Sequence, residues 1–194
     1  PTYISNGIAA AVDHTAYASL MIQPLSAIGQ AVGFGAATAS SMGLTKAPQV
    51  FAAYGTANQT GVASGAITKM TIDTEEFDSS SVFDSATNYR FQPTVSGKYL
   101  MTWGVQIRGS ASNAVSDAHS YLYKNGAEFK RGAHVAHSTT AIVNIVESTG
   151  SAIIDMNGTS DYLELYADGV VSSGTVTFNG GQTVKYFSGT KVAE

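Results

Sequence analysis

The sequence of 194 residues contains no cysteine. Structural disulfides and thiolate-ligated metal centres are therefore excluded, and a β-domain must obtain stability from another source, for which oligomerisation is the usual one. No run of about 18 or more consecutive apolar residues occurs, so no membrane span and no membrane partner are expected. A secretory signal is not expected either, because the first lysine is Lys46.

Charge is also scarce. Charged residues make up 12% of the chain, and the formal net charge is −4 at pH 7. Because no basic stripe exists to displace counterions from phosphates, we expect no nucleic-acid partner. Hydrophobic residues make up 44%, so a real core can be buried. A weakly charged surface suits a protein that is covered by partners or by copies of itself.

Motifs that carry catalysis are missing from the sequence. No Gly-x-Ser-x-Gly elbow and no P-loop occurs, and a dinucleotide pattern that begins at Gly33 has Thr38 where a third glycine is required. No nucleophile–base or metal constellation stands out. The chain is therefore expected not to be an enzyme, with no catalytic, cofactor-binding or metal-binding residues and no cofactor.

Two groups of residues keep metal binding open as an alternative. His134 and His137 could bind zinc only with a bend or a neighbouring chain, because their spacing on a strand points the rings to opposite faces. An acidic run could hold calcium through carboxylate oxygens, although it matches no EF-hand loop. The alternative for both is a solvated edge or loop. The acidic run consists of Asp73, Glu75, Glu76, Asp78 and Asp84.

Residues 1–48 differ in composition from the rest of the chain. They carry only two charged side chains, Asp13 and Lys46, and are rich in Ala and Gly. Apolar residues recur at roughly three- and four-residue spacings, which predicts one or two helices interrupted at Pro24. Because such a segment has almost no polar face, we expect an anchoring arm that is buried against another protein or its own copies. A flexible Gly/Ala tail is the alternative.

From Val50 onward the pattern changes to short alternating strands separated by turn residues. The clearest hairpin turns at Asn125-Gly126, since these residues accept the positive φ angles of a type I′ turn. With no helical stretch between the strands, residues 49–194 are predicted to form an antiparallel sandwich or jelly roll. The predicted strands are 50–54, 66–73, 88–94, 98–108, 119–124, 127–136, 140–147, 151–156, 161–167, 174–178 and 183–192.

One stretch of the sequence resembles a known family. Phe91-Gln-Pro93-Thr-Val-Ser-Gly97-Lys-Tyr99-Leu-Met101-Thr-Trp103 resembles the signature of the C1q-like domain, the globular head of the complement and tumour-necrosis-factor superfamily. That signature places an aromatic residue, five further residues and then Gly-x-Tyr-x-Phe-x-aromatic; Met101 replaces the usual Phe. Other pieces follow in the family's order over about 51–192. They are Phe51-Ala-Ala, Asp78-Ser-Ser-Ser-Val-Phe83, Leu122-Tyr-Lys-Asn-Gly126, Ser151-Ala-Ile-Ile-Asp-Met, Ser160-Asp161-Tyr-Leu-Glu-Leu and Phe187-Ser-Gly189-Thr-Lys-Val.

The resemblance implies a ten-stranded jelly roll that packs as a compact homotrimer, with apolar strand faces along the threefold axis. Bacteriophages also use such domains, and a Cys-free chain with an anchoring arm is similar to that use. We therefore expect a non-enzymatic structural protein of the virion, as a capsid decoration (cement) or tail-associated protein. Residues 1–48 would bind other virion structural proteins.

The alternative function is a fibre-tip module that binds a host-surface receptor or glycan. Exposed aromatic side chains could stack on sugars, although half-buried packing is the commoner role of tyrosine in strands. The tyrosines concerned are Tyr54, Tyr89, Tyr121, Tyr123, Tyr162 and Tyr166.

Overall fold

The structure is a computed structural model that describes residues 49–112, 114–136 and 143–194. The predicted anchoring arm, residues 1–48, lies outside the described residues, and so do His14 and His137. Within the described ranges the chain forms strands and no helix, which confirms the all-β prediction. The strands are β1 (Val50–Tyr54), β2 (Gln59–Val62), β3 (Thr68–Lys69), β4 (Thr74–Asp78), β5 (Phe83–Asp84), β6 (Arg90–Phe91), β7 (Gly97–Gly109), β8 (Val115–Lys124), β9 (Ala127–Arg131), β10 (Val135–Ala136), β11 (Ile145–Met156), β12 (Leu163–Val171), β13 (Val176–Phe178) and β14 (Lys185–Ala193).

These strands form two antiparallel sheets that face each other as a jelly-roll sandwich. In sheet A the neighbours run β4–β1–β14–β7–β11, with β13 and then β2 beside the far end of β7. Sheet B is built around β8 and β12, with β9 and β10 along the free side of β8 and with β3, β6 and β5 beyond β12. The predicted fold class is thus confirmed, although the predicted strand at 66–73 is reduced to the short β3.

The core lies between the sheets and follows the period of two along each strand. In β7 the side chains of Tyr99, Met101 and Trp103 are at most 1% exposed, whereas Leu100 and Thr102 face outward. Alternation along the sequence predicts that Tyr99, Met101 and Trp103 share one strand face and that Leu100 and Thr102 share the other, and the structure shows the first face to be the buried one. The Trp103 indole N–H also donates to Ser120 Oγ in β8 at 3.0 Å, so the largest core side chain joins the two sheets.

The sequence predicted two strands here, 140–147 and 151–156. In the structure, their described residues belong to a single strand, β11, which continues through Gly150. The polar run Ser148-Thr-Gly150-Ser151 has the composition of a turn, yet Gly150 pairs with Trp103 of β7. A Cβ atom at Gly150 would lie 2.2 Å from Cζ2 of the indole. Glycine at this position therefore makes room for the ring, and it does not break the strand.

The hairpin turn is confirmed at the predicted residues. Asn125 has φ of 54° and Gly126 has φ of 80°, both in the left-handed region that a type I′ turn requires. The Asn125 amide donates to Asp161 Oδ1 at 2.8 Å and its Oδ1 accepts the Tyr162 N–H at 2.9 Å. The bond from Asn125, and then that from Lys124, lowers the pKa of Asp161. The turn is thereby fastened to the segment that leads into β12.

Candidate interaction surface

The outer face of sheet A carries no charged side chain across its central rows, and we call this area the uncharged face. Strand register brings its residues together, since residues opposite each other across strands point to the same side. One row crosses four strands and contains Val50, Thr190, Leu100 and Ile153. The complete uncharged face comprises Val50, Ala52, Tyr54, Phe77, Leu100, Thr102, Gly104, Thr149, Ser151, Ile153, Tyr186, Ser188 and Thr190.

Large apolar side chains on this face are open to solvent. Ile153 is 60% exposed, Phe77 51% and Leu100 36%. Phe77 and Leu100 border a shallow groove of about 250 Å³ whose floor includes Ala52. The face thus presents both apolar projections and an apolar depression, as a docking surface requires.

Two hydroxyls near the centre of the uncharged face are satisfied by each other. The hydroxyls of Thr102 and Ser188 hydrogen-bond to each other at 2.6 Å across β7 and β14. The ring of Tyr186 lies over Gly104, where a Cβ would come within 2.5 Å of its Cε1 atom. Covering the Thr102–Ser188 pair with a partner costs little, because a paired hydroxyl need not exchange a water bond.

Charged residues border the face rather than enter it. At one end Lys98 pairs with Asp155 across β7 and β11, with 3.7 Å between Nζ and Oδ2. At the other end Glu147 accepts a hydrogen bond from Gln106 at 2.8 Å. A polar rim around an apolar centre is the anatomy of a protein–protein interface.

The outer face of sheet B is built differently, and we call it the polar face. Tyrosine, histidine and charged side chains contact one another across β8, β9 and β12. Tyr123 stacks on Tyr166 with 4.1 Å between ring centroids, and Lys69 forms an ion pair with Glu164. The polar face comprises Lys69, Asp117, His119, Tyr121, Tyr123, Arg131, His134, Glu164, Tyr166 and Asp168.

The tyrosines of the polar face have raised pKa values. Burial raises the pKa of Tyr121 to about 12, and the neighbouring Asp168 adds to this effect. Burial and the Glu164 carboxylate raise the pKa of Tyr166 to about 12. These phenols therefore stay protonated as hydrogen-bond donors to carboxylates well above neutral pH. They are members of a packed network of hydrogen bonds and ring contacts.

The acidic run that was considered for calcium does not converge in the described residues. Asp73 accepts the Thr56 N–H at 2.8 Å, and Asp78 accepts the Phe83 N–H at 2.7 Å. Asp84 caps the turn that follows it, and the backbone N–H bond from Thr87 is the main reason that its pKa is lowered. The three aspartates thus accept backbone N–H bonds in separate parts of the chain.

The histidines are arranged in a way that the sequence pattern did not predict. His134 lies beside His119 and Asp117, and its predicted companion His137 is outside the described residues. The missed signal was Asp117-x-His119, because residues two apart on a strand share one face. Finding His134 next to them required the register between β10 and β8.

No helix in the described ranges has the length and apolar character that crossing a membrane requires.

The two sheets and their strand order define a jelly roll of the tumour-necrosis-factor type, and solved structures show the same fold. Eiger TNF from S. frugiperda superimposes with a TM-score of 0.51 and 11% identity, over 77% of this chain and 95% of that chain. Murine APRIL at pH 8.0 gives a TM-score of 0.51 and 8% identity, over 75% of this chain and 99% of that chain. No protein-family model and no curated protein sequence matches the chain. The C1q/TNF-like fold that the resemblance implied is therefore present.

Proposed function

We propose that the chain is a non-enzymatic structural protein that assembles as a homotrimer through the uncharged face of sheet A. The single observation that carries this proposal is the row of apolar side chains left open on a face without charge. Full burial of a side chain such as Ile153, Phe77 or Leu100 contributes about 1.5–3 kcal/mol. The C1q-like resemblance supports the threefold arrangement of this contact.

The setting that we propose is a virus particle, with the jelly roll as a capsid decoration or tail-associated protein. Residues 1–48 would attach it to other virion proteins, because a segment with only two charged residues gains by being covered. Three arms on one trimer add avidity, so a modest affinity of each arm suffices. Neither nucleic acid nor a membrane takes part in this proposal.

A matched pair of substitutions tests the assembly. Ile153 on the uncharged face and Phe129 on β9 of sheet B are both exposed strand residues, at 60% and 45%. In light scattering at micromolar concentration, the unsubstituted chain and Phe129→Asp should have the mass of a trimer. Ile153→Asp should be monomeric, because assembly would bury its charge. A monomeric unsubstituted chain, or an Ile153→Asp trimer, would overturn the proposed interface.

Deleting residues 1–48 tests the attachment. The remaining chain should stay a folded trimer and should no longer join its particle. If the arms bundled only with each other as a stalk, the deletion would instead dissociate the trimer. A truncated protein that joins the particle at normal occupancy would contradict the anchoring role.

The receptor- or glycan-binding alternative gains little from the tyrosines considered for it. Tyr123 packs on Tyr166, and Tyr162 lies beneath the Arg90 guanidinium, 4.6 Å from ring centroid to Cζ. Binding of the trimer to a glycan array, lost in Tyr162→Ala, would favour that alternative over a purely structural role.

A further inference from the structure

Three metal-binding side chains meet on the polar face. Asp117 and His119 project from β8, and His134 directly precedes β10, which pairs with β8. His134 Nε2 lies 2.8 Å from Asp117 Oδ1, and His119 Nε2 lies 3.8 Å from the same oxygen. One ligand atom from each residue lies within 4.8 Å of the others. This is a two-histidine, one-carboxylate set.

A second carboxylate orients one of these histidines. Asp168 of β12 lies opposite His119, and its Oδ1 is 2.9 Å from His119 Nδ1. Because a carboxylate accepts hydrogen bonds, Asp168 favours the tautomer with the proton on Nδ1, which leaves Nε2, 3.8 Å from Asp117 Oδ1, as the ligating nitrogen. Asp168 is only 8% exposed, so this orientation is held from inside the face. A carboxylate that fixes a histidine tautomer in this way is the usual support of a metal-ligating imidazole.

We propose that Asp117, His119 and His134 bind a divalent transition metal, with zinc as the ion, and that Asp168 acts as a positioning residue. Imidazole nitrogen with one carboxylate suits zinc and disfavours calcium, which takes oxygen ligands. Tetrahedral zinc with bonds of about 2.0–2.1 Å needs ligand atoms about 3.3 Å apart. The two separations from Asp117 Oδ1, 2.8 and 3.8 Å, lie on either side of that value, and all three ligand atoms lie within 4.8 Å of one another.

Metal binding requires the His134 ring to turn. It now stacks on His119 with 4.2 Å between ring centroids and 12° between planes, and one ion cannot lie in the planes of two parallel rings. The side chain of His134 is 51% exposed, so its ring can turn without disturbing the core. With three protein ligands, the fourth position of zinc remains for water. A bound ion would tie His134 and β10 to the centre of sheet B.

Calorimetric titration of the chelator-treated full chain with zinc chloride tests the site. One zinc ion should bind per chain, and calcium chloride under the same conditions should give no binding. His134→Gln should lower zinc affinity at least about 100-fold, because it removes one of three ligands. His119→Gln should do the same, and circular dichroism must show that both variants are folded. No zinc binding by the unsubstituted chain, or unchanged affinity in both variants, would overturn the proposal.

One further variant distinguishes the cluster from the histidine pair that is close in sequence. His137 is not a ligand in the proposed site, so His137→Gln should bind zinc normally. If His137→Gln abolished binding while His119→Gln kept it, the metal would belong to the pair His134 and His137, and the proposed site would be wrong.

The zinc affinities of two Asp168 variants test its positioning role separately. Asp168→Asn should weaken zinc binding about 10–100-fold, and Asp168→Glu should restore part of the loss. A purely structural role would instead lower the melting temperature of Asp168→Asn and leave its zinc affinity unchanged, which would contradict the positioning role.

Discussion

The outer faces of sheet A and sheet B differ in which side chains they expose to solvent. On the polar face, Tyr121 lies between the Arg131 guanidinium, at 5.3 Å, and the carboxylate of Asp168, so the side chains of this face complete one another's contacts. On the uncharged face, the hydroxyls of Thr102 and Ser188 pair with each other, while Ile153 and Phe77 remain uncovered. A face whose polar side chains pair with one another is stable in contact with water. A face with exposed apolar side chains is stabilised when a partner covers them. The comparison therefore favours sheet A as the site of the proposed assembly.

The largest effect should come from the residue that joins the two sheets. Trp103→Ala removes a side chain that is 1% exposed and the hydrogen bond to Ser120. We expect a loss of about 3–5 kcal/mol in the free energy of unfolding, from lost burial and the cavity left behind. Urea denaturation at fixed protomer concentration measures it, since assembly shifts the apparent stability.

The control for Trp103→Ala is Phe129→Ala, an aromatic residue exposed on β9. That variant should change stability by no more than about 0.5 kcal/mol. Equal effects of the two substitutions would mean that the sheets are not coupled through Trp103.

The next effect concerns the polar face at alkaline pH. The phenols of Tyr121 and Tyr166 have a pKa of about 12 in the folded chain, against an ordinary tyrosine pKa of 10.0. Since the folded state holds these protons more tightly, their contribution to stability is complete below pH 10 and is lost as pH rises toward 12.

Urea midpoints at pH 8 and pH 11 compare the unsubstituted chain with the double variant Tyr121→Phe and Tyr166→Phe. At pH 8 each substitution should cost about 0.5–1.5 kcal/mol, the usual net contribution of a hydrogen bond. Between the two pH values, the unsubstituted chain should lose more stability than the variant. The other titrating groups are the same in both proteins, so their contributions to the pH dependence of stability cancel in the comparison. Equal losses would contradict the raised pKa values.

The smallest effect is expected at the edge of the polar face. Arg131 forms an ion pair with Glu128, and both side chains are substantially exposed, at 57% and 35%. Solvent screens such a pair, so Arg131→Ala should leave the urea midpoint unchanged within error. A clear shift would show that the contact of Arg131 with Tyr121 matters more than its exposure indicates.

Local sequence patterns were enough to predict much of the fold. The period of two in β7 placed Tyr99, Met101 and Trp103 inward, and the conformational preferences of Asn125-Gly126 placed the hairpin. These features depend only on neighbours along the chain.

Features that depend on strand register could not be predicted in the same way. Ile153 joins Leu100 on the uncharged face because β11 pairs with β7, and His134 joins His119 because β10 pairs with β8. Residues distant in sequence meet at these points, and no local pattern specifies the pairing. The sequence brought only His137 to notice beside His134, and His137 lies outside the described residues, whereas the two companions on β8 follow from strand register alone.

The close approach of Gly150 to the Trp103 indole has a consequence for how this sequence can diverge. A side chain at position 150 is compatible with the fold only if the ring beneath it becomes smaller, because Cβ would lie 2.2 Å from the indole. A substitution at position 150 or position 103 alone therefore gives a less stable protein. In descendants of this chain the two positions should change together, with glycine kept wherever tryptophan is kept.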